Sequence, residues 1–294
     1  MAQSRKVRRR VAKTKQQRQR RVNSYGRLSD KLWAVYLKYL PPEPTRDRRA
    51  RPVISFRRVL SGILYRLRTG CQWKAIPAEF GSGSTCHVRF QEWQALGVFE
   101  KVWADQVRAY EQKRGIGWNW QILDSAIIPA PLGGEKTGKN PTDRAKSGSK
   151  RHVLVDRRGV PLALTLSGAN VPDYQCAEAT LTHLVIRRSW RDDRGALVVR
   201  HFCADKGYDY AEVHQVAKRL GYRVHIAHRR RRREPEPPPV SGPRRHPARR
   251  WVVERTNSWH NRFRALKIRW EKKPENYEAL VHFACALITA RFLG

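Results

Sequence analysis

Between residues 116 and 228 the chain alternates apolar runs of strand length with amphipathic stretches of helix length, and that alternation leaves few folds open. Strands are predicted at 119–128, 151–156 and 160–167. A helix follows Asp173, then come a strand at 197–204, a helix at 209–220 and a strand at 222–227. The turn Asp156-Arg157-Arg158-Gly159 is too short to join anything but antiparallel neighbours, whereas strands separated by a helix can pair in parallel. One mixed sheet flanked by helices is the expected result.

Three hairpin-linked strands followed by βα units is the order of a ribonuclease-H-like α/β fold, in which carboxylates gather at the ends of central strands. Asp124 closes the run Trp118-Asn119-Trp120-Gln121-Ile122-Leu123, and Asp205 closes the run from Leu197 to Ala204. Glu254 lies in the helical stretch Arg249 to Arg255. Carboxylate oxygens suit hard divalent cations, which in turn meet phosphates. In-line phosphoryl transfer is served by two such ions about 4 Å apart. Asp124, Asp205 and Glu254 are therefore the predicted catalytic and metal-holding residues, for two Mg²⁺ ions with Mn²⁺ as a substitute.

Each acid also has a plainer reading. An Asp after a strand can cap a turn, and Asp205 precedes Lys206-Gly207. Glu254 can pair with Arg250 across one helical turn. Asp156, Asp173 and Asp209 lie near element ends as well. His201 and His228 have no HxxxH or CxxC partner that would make them metal ligands. No GxSxG or phosphate-loop sequence is present, which removes acyl transfer and nucleotide hydrolysis.

Charge decides the partner. The 294 residues carry 61 Lys+Arg against 25 Asp+Glu, a formal net charge of +36, so a polyanion is expected and nucleic acid above all. A hydrophobic share of 40% with ten Trp is enough for a packed core. Five scattered cysteines (Cys71, Cys86, Cys176, Cys203, Cys285) read as reduced thiols of a cytoplasmic protein. The longest apolar stretch, near Val281 to Leu293, is too interrupted to span a bilayer, so no membrane partner is expected.

Three regions flank or punctuate the sheet. Residues 1–24 form a basic arm of the kind that orders only on a partner. Residues 25–115 read as a helical domain. Leu32, Val35, Tyr36 and Tyr39 share one face; Phe56, Val59, Leu60, Ile63, Leu64 and Leu67 line another, which Gly70 ends. A short segment from Trp73 to Phe80 and the turn Gly81-Ser82-Gly83-Ser84 lead to a third helix, with Ser84 as its N-cap and Cys86, Phe90 and Trp93 buried. That sequence of elements matches a helix-turn-helix, whose second helix can enter a major groove. Its outward residues Ser84, Thr85, His87, Val88, Arg89 and Gln91 are the candidate DNA contacts, against the alternative of an ordinary three-helix packing unit. The sheet domain then occupies 116–294.

Within it, the Gly- and Lys-rich stretch 133–152 reads as a loop of phosphate contacts, with Lys139, Arg144, Lys146, Lys150 and Arg151 as candidates. Residues 228–247 are an Arg- and Pro-rich surface insertion. From 248 a helix is expected to run to about 270, burying Val252, Trp259, Phe263 and Leu266 and turning Arg250 and Glu254 away from that stripe. A last helix starts near Pro274 and buries Leu280, Phe283, Ala284, Leu287 and Ile288.

Several stretches resemble bacterial insertion-sequence transposases of the DDE class, in the group founded on insertion sequence five. They are Gly62 to Trp73, Gly133 to His152, Ala204-Asp205-Lys206-Gly207-Tyr208-Asp209 and Arg250-Trp251-Val252-Val253-Glu254-Arg255-Thr256. The resemblance runs in order over about 27–293 and leaves out the basic arm. It implies a ribonuclease-H-like core that cuts and joins DNA with Mg²⁺, and a catalytic triad at Asp124, Asp205 and Glu254. The related pattern around the glutamate is Tyr, two residues, Arg, three residues, Glu, six residues, Lys. Arg250 and Glu254 fit it, and Arg250 is also a candidate DNA contact; Pro247 and Asn261 stand where it has Tyr and Lys, and Arg262 or Arg264 is the candidate to replace the Lys as a phosphate contact. The expectation is a DNA transposase that binds terminal inverted repeats and target DNA as a homodimer. Its alternatives are a catalytically silent DNA-binding protein derived from such an element, a nucleic-acid coating protein, and a plain nuclease.

Overall fold

The computed structural model describes residues 24–44, 53–186, 198–229 and 249–294. The basic arm up to residue 23 and all but the first two residues of the Arg- and Pro-rich run lie outside them. Contacts divide the chain into two compact units, residues 1–98 with 263–265, and residues 99–262 with 266–294.

In the first unit, α1 (Asp30–Leu37) starts at Ser29, whose side chain accepts from the Leu32 amide at 3.2 Å. Helix α2 (Phe56–Thr69) buries the predicted apolar stripe and closes on Gly70 at φ 70°, a left-handed conformation that costs glycine little. Single 3₁₀ turns at Trp73–Ala75 and Ala78–Phe80 lead into α3 (Gly83–Ala95). The cap of α3 is Ser82, not Ser84: Ser82 accepts from the Thr85 amide at 3.0 Å, and Ser84 is already helical. The start is fixed by Gly83, where an added Cβ would lie 1.9 Å from the Trp73 carbonyl oxygen. Cys86, Phe90 and Trp93 are buried as expected, with Trp93 edge-on to Phe56 at 5.2 Å.

In the second unit, α4 (Val98–Arg114) packs on the C-terminal helix, named α8 below; Phe99 meets Phe283 at 5.6 Å and Tyr110 meets Phe292 at 5.7 Å. The seam between units therefore falls at Val98/Phe99, ahead of the end of the helical run at 115. The sheet comprises β1 (Trp120–Pro129), β2 (Gly138–Lys139), β3 (Ser147–Asp156), β4 (Pro161–Gly168), β5 (Arg200–Ala204) and β6 (Tyr222–Ile226). Its order is β4-β3-β1-β5-β6, with β2 on the end of β3. β3 is antiparallel to β1 and β4, while β5 is parallel to β1 and β6. That is the ribonuclease-H-like arrangement expected from the hairpin and βα spacing. The hairpin turn is held by Asp156, whose Oδ1 accepts from the amides of Arg158 at 2.8 Å and Val160 at 2.9 Å.

Helices α5 (Ala177–Thr182) and α6 (Ala211–Arg219) cover one face, around Leu123, Leu154, Phe202 and Tyr208. Helix α7 (Trp251–Asn261) covers the other, its Val252 and Val253 against Ile122, Val153 and Cys203. The long helix expected over 248–270 is thus cut short: α7 ends at Asn261, and a 3₁₀ turn follows at Arg264–Leu266. Within α7 the buried side chains include Thr256, Asn257 and His260, with Trp259 only half-buried. Helix α8 (Pro274–Leu293) begins on Pro274 as predicted and is buried over most of its circumference, Leu287 being half-buried.

The largest departure from expectation is at β3. It begins at Ser147, not at 151, so residues placed in a phosphate-binding loop are strand. The ladder with β1 continues to Pro129↔Gly148, and each added pair contributes backbone bonds that outweigh a loop-like composition.

Replacing Gly83 with Ala puts a methyl into a backbone carbonyl that cannot swing aside. We expect Gly83→Ala to destabilise the first unit by about 1–3 kcal/mol, read as a lower urea midpoint with an unchanged slope.

Candidate active site

The β1/β5 ladder pairs Trp120↔His201, Gln121↔Phe202 and Ile122↔Cys203. Asp124 and Asp205 each lie two residues beyond that last pair, so the alternation of side chains puts both on the face covered by α7. Asp205 directly follows β5, its Oδ1 accepting from the Lys206 amide at 2.5 Å. Asp124 lies within β1, which runs on past it, paired only with β3. Glu254 comes from the first turn of α7, opposite them.

Arg250, the residue before α7, links two of the acids. Its Nη1 donates to Asp205 Oδ1 at 3.0 Å and its Nη2 to Glu254 Oε1 at 2.8 Å. The i, i+4 pair foreseen as a plain alternative for Glu254 does form, but the same guanidinium also reaches Asp205. Asp124 is held otherwise: Asn257 Nδ2 donates to its Oδ2 at 3.3 Å. Burial pushes the Asp124 carboxyl up to about 6, against a backbone hydrogen bond from Ser125 and the charge of Arg250, which lower it; Glu254 and Asp205 raise it further. The three acids are thus close enough to feel one another, although no three His, Cys, Asp or Glu converge tightly enough to cage a metal ion among the described residues.

The competing acids are engaged elsewhere. Asp156 Oδ2 accepts from Tyr110 Oη at 3.2 Å and the Gly117 amide at 3.0 Å, in addition to its turn bonds. Asp173 pairs with Lys150 at 2.9 Å. Asp209 accepts from His214 at 2.8 Å, from His228 at 3.0 Å and from the Arg229 amide at 2.8 Å. His201 is stacked on Trp120 at 4.5 Å and shares a 2.7 Å hydrogen bond with His225.

Of the predicted DNA contacts, two are withdrawn. Lys150 is buried, its ammonium donating to the Val171 carbonyl at 2.7 Å as well as pairing with Asp173. Arg151 is fully buried, with Nη1 3.5 Å from Tyr277 Oη. Both lie in β3, where pairing and packing take them from solvent. Lys139, Arg144 and Lys146 are exposed, as are Arg262 and Arg264. Thr85, His87, Arg89 and Gln91 lie partly exposed on α3; His87 stacks on Trp73 at 4.7 Å and Arg89 pairs with Glu92 at 2.7 Å. Asn257 was missed by sequence reasoning. Its signal was available, a polar residue three positions after Glu254 on the buried side of an amphipathic helix.

Two changes test these assignments. A raised carboxyl favours the folded state fully below the unfolded value, and that advantage is lost as pH rises through the folded value. Metal-free Asp124→Asn should therefore match the native protein near pH 4 and exceed its stability at pH 8, by about 3 kcal/mol at most, as read by chemical denaturation. Lys150→Met should cost about 1–3 kcal/mol of stability while leaving the salt dependence of DNA binding unchanged. A lost phosphate contact would lower the slope of log K against log salt by about one.

Comparison with known proteins gives the family. Residues 28–103 match a family model assigned to transposases of the IS4/5 family, and residues 120–289 match the transposase DDE domain. A Burkholderia cepacia protein assigned as the transposase of insertion sequence element IS402 is 37% identical over 170 residues, covering 57% of this chain and 72% of that protein. An IS402 protein of 16.2 kDa, also from Burkholderia cepacia and uncharacterised, is 37% identical over 121 residues, 39% of this chain and 80% of its own. The crystal structure of the Mos1 mariner paired-end complex with Mn aligns over 84% of this chain and 82% of that chain at 11% identity, with a TM-score of 0.26. The fold assignment rests on strand order and not on that alignment. No helix among the described residues is long and apolar enough to cross a membrane.

Proposed function

This chain belongs to the DDE transposases of the IS4/5 family, and on that premise we propose that it binds the terminal inverted repeats of its insertion sequence, cuts the DNA at those ends and joins them to a target. The observation that carries the reading is the placement of Asp124 and Asp205 in phase on neighbouring parallel strands, with Glu254 brought opposite by α7 and joined to Asp205 through Arg250.

The donor set is all oxygen, which fits Mg²⁺, or Mn²⁺ in its place, and Asp124, Asp205 and Glu254 would hold two such ions. When bound, these ions supply charge stabilisation to the attacking and leaving oxygens of an in-line displacement. The protein's own part is positioning. β1 is a central strand paired on both sides up to Ile122, so the Asp124 main chain is rigid. Asn257 fixes Asp124 Oδ2 and the Ser125 amide also donates to the carboxylate, which together orient it. The same arrangement serves two reactions in turn, because only the nucleophile changes: water exposes a 3′-hydroxyl, and that hydroxyl then attacks target DNA.

The helical unit is proposed to read the repeats through α3, using Thr85, His87, Arg89 and Gln91, with 25–115 as its span in sequence. Lys139, Arg144, Lys146, Arg262 and Arg264 are further proposed phosphate contacts, and the net charge of +36 supplies the long-range attraction. Pairing two transposon ends calls for two copies of the chain, so a homodimer is expected on DNA, acting in the cytoplasm on the chromosome.

The test is strand transfer by the purified full chain, with Mg²⁺, a labelled end from the flank of its own gene and a supercoiled target. Joined product that disappears in Asp205→Asn, with the variant shown to be folded and still binding the end, is the expected result. Cutting without joining would reduce the reading to a nuclease. Undiminished product from Asp205→Asn or Asp124→Ala would remove the proposed triad.

A further inference from the structure

We propose that Arg250 is a built-in cation that closes the carboxylate site of the free protein, so that a divalent ion gains Asp205 and Glu254 only as Arg250 is handed to a DNA phosphate. The proposal rests on the assignment of Asp124, Asp205 and Glu254 as the metal-holding set.

Three carboxylates near one another repel, and the structure relieves that repulsion with one guanidinium. Each Nη takes one oxygen, Asp205 Oδ1 at 3.0 Å and Glu254 Oε1 at 2.8 Å. Each acid has a second oxygen, but a divalent ion shared by the two would compete with the guanidinium for the space and the charge between them, and Mg²⁺ sheds its own waters reluctantly. With Arg250 between them, no three acidic, His or Cys groups among the described residues converge on one point. The clasp is also imperfect. Arg250 Nε is buried without a hydrogen-bond partner among the described residues, and a buried unsatisfied donor costs free energy that opening the clasp would return.

A phosphate offers the guanidinium what it has now, a pair of anionic oxygens for its planar fork. The side chain has room to exchange partners, being 41% exposed. DNA that takes Arg250 leaves Asp205 and Glu254 uncompensated, which favours a divalent ion there. By thermodynamic reciprocity, whatever factor DNA adds to metal affinity, metal adds to DNA affinity. The free protein would then carry little metal, and the hydrolytic site would assemble only on a DNA end.

The experiment measures Mn²⁺ binding to the full chain, by the loss of the free-ion electron paramagnetic resonance signal, with and without a short duplex from the flank of its own gene. The duplex should tighten Mn²⁺ binding to the native protein by about tenfold, within the usual span of allosteric coupling. Arg250→Gln should bind Mn²⁺ about tenfold more tightly without DNA, and the duplex should add less than about threefold. Arg250→Lys, which keeps the charge without the fork, should fall between. Simple loss of a nearby positive charge would tighten Mn²⁺ equally with and without DNA, so retention of the full DNA effect in Arg250→Gln overturns the proposal. So does unchanged or weaker Mn²⁺ binding in that variant without DNA. Asp205→Asn separates the two levels. If Mn²⁺ binding ignores Asp205→Asn, the metal assignment itself fails; if binding drops there but Arg250→Gln gains nothing, only the coupling fails.

Discussion

Parallel pairing of β1 with β5 sets two carboxylates side by side on one face of a sheet, and the sheet itself cannot tolerate them there uncompensated. Neighbouring strands lie about 4.8 Å apart, so two acids in phase beyond the Ile122↔Cys203 pair meet at short range. The ladder could continue with apolar residues and gain stability. Instead the unit spends part of its packing free energy on Asp124, whose burial raises its carboxyl to about 6. What surrounds the pair follows from that cost. Helix α7 brings Asn257 to Asp124 and Arg250 to Asp205, and Val252 and Val253 on the same helix pack against the sheet beside them.

How acids are bonded separates structural carboxylates from chemical ones. Asp156 has both oxygens occupied, by the amides of Arg158, Val160 and Gly117 and by Tyr110. Asp209 is similarly filled by His214, His228 and the Arg229 amide, and its carboxyl is held below the usual range by hydrogen bonds that outweigh the opposing effect of burial. Asp156 has no lone pair to spare and Asp209 at most one. Among the described residues Glu254 is bonded through Arg250, and Asp124 accepts one side-chain bond, at 3.3 Å, beside the Ser125 amide. A carboxylate left underbonded inside a chain of net charge +36 retains affinity for a cation, whichever cation arrives.

Much of this was legible in the sequence because it depends on periodicity and punctuation. The stripe from Phe56 to Leu67, the stop at Gly70, the turn at 156–159 and the start at Pro274 are local signals, and local signals survive folding. The strands that carry or lead to Asp124 and Asp205 were legible for the same reason, although β1 runs on past Asp124 instead of ending there. Residues 147–150 were not, because Ser-Gly-Ser-Lys has a loop's composition and becomes strand only through its ladder with β1. Burying Lys150 requires Asp173 and the Val171 carbonyl, partners more than 20 residues away that no local window contains. The Ser82 cap was missed on similar grounds, since the choice between two serines is made by the approach of Gly83 to the Trp73 carbonyl. Asn257 lay between these cases: its helical phase was readable, but its partner across the sheet was not.

The same contrast bears on how a strongly basic protein can keep an acidic centre. At +36, free cationic side chains surround any carboxylate, and the simplest outcome would be saturation by lysine and arginine from every side. The structure limits that by burial and by geometry. Lys150 is bound to Asp173 and the Val171 carbonyl, and Arg249 lies over the Trp120 ring at 4.3 Å. Arg158 is fastened to Tyr110 and the Gly115 carbonyl. Cations close to the sheet are thereby given partners of their own, and among the described residues one arginine is admitted between Asp205 and Glu254. Its two acids come from different elements, a strand end and a helix start. Any ligand that takes the guanidinium therefore changes the electrostatics of β5 and α7 together, and the acidic centre is tied to the polyanion that the rest of the surface is charged to attract.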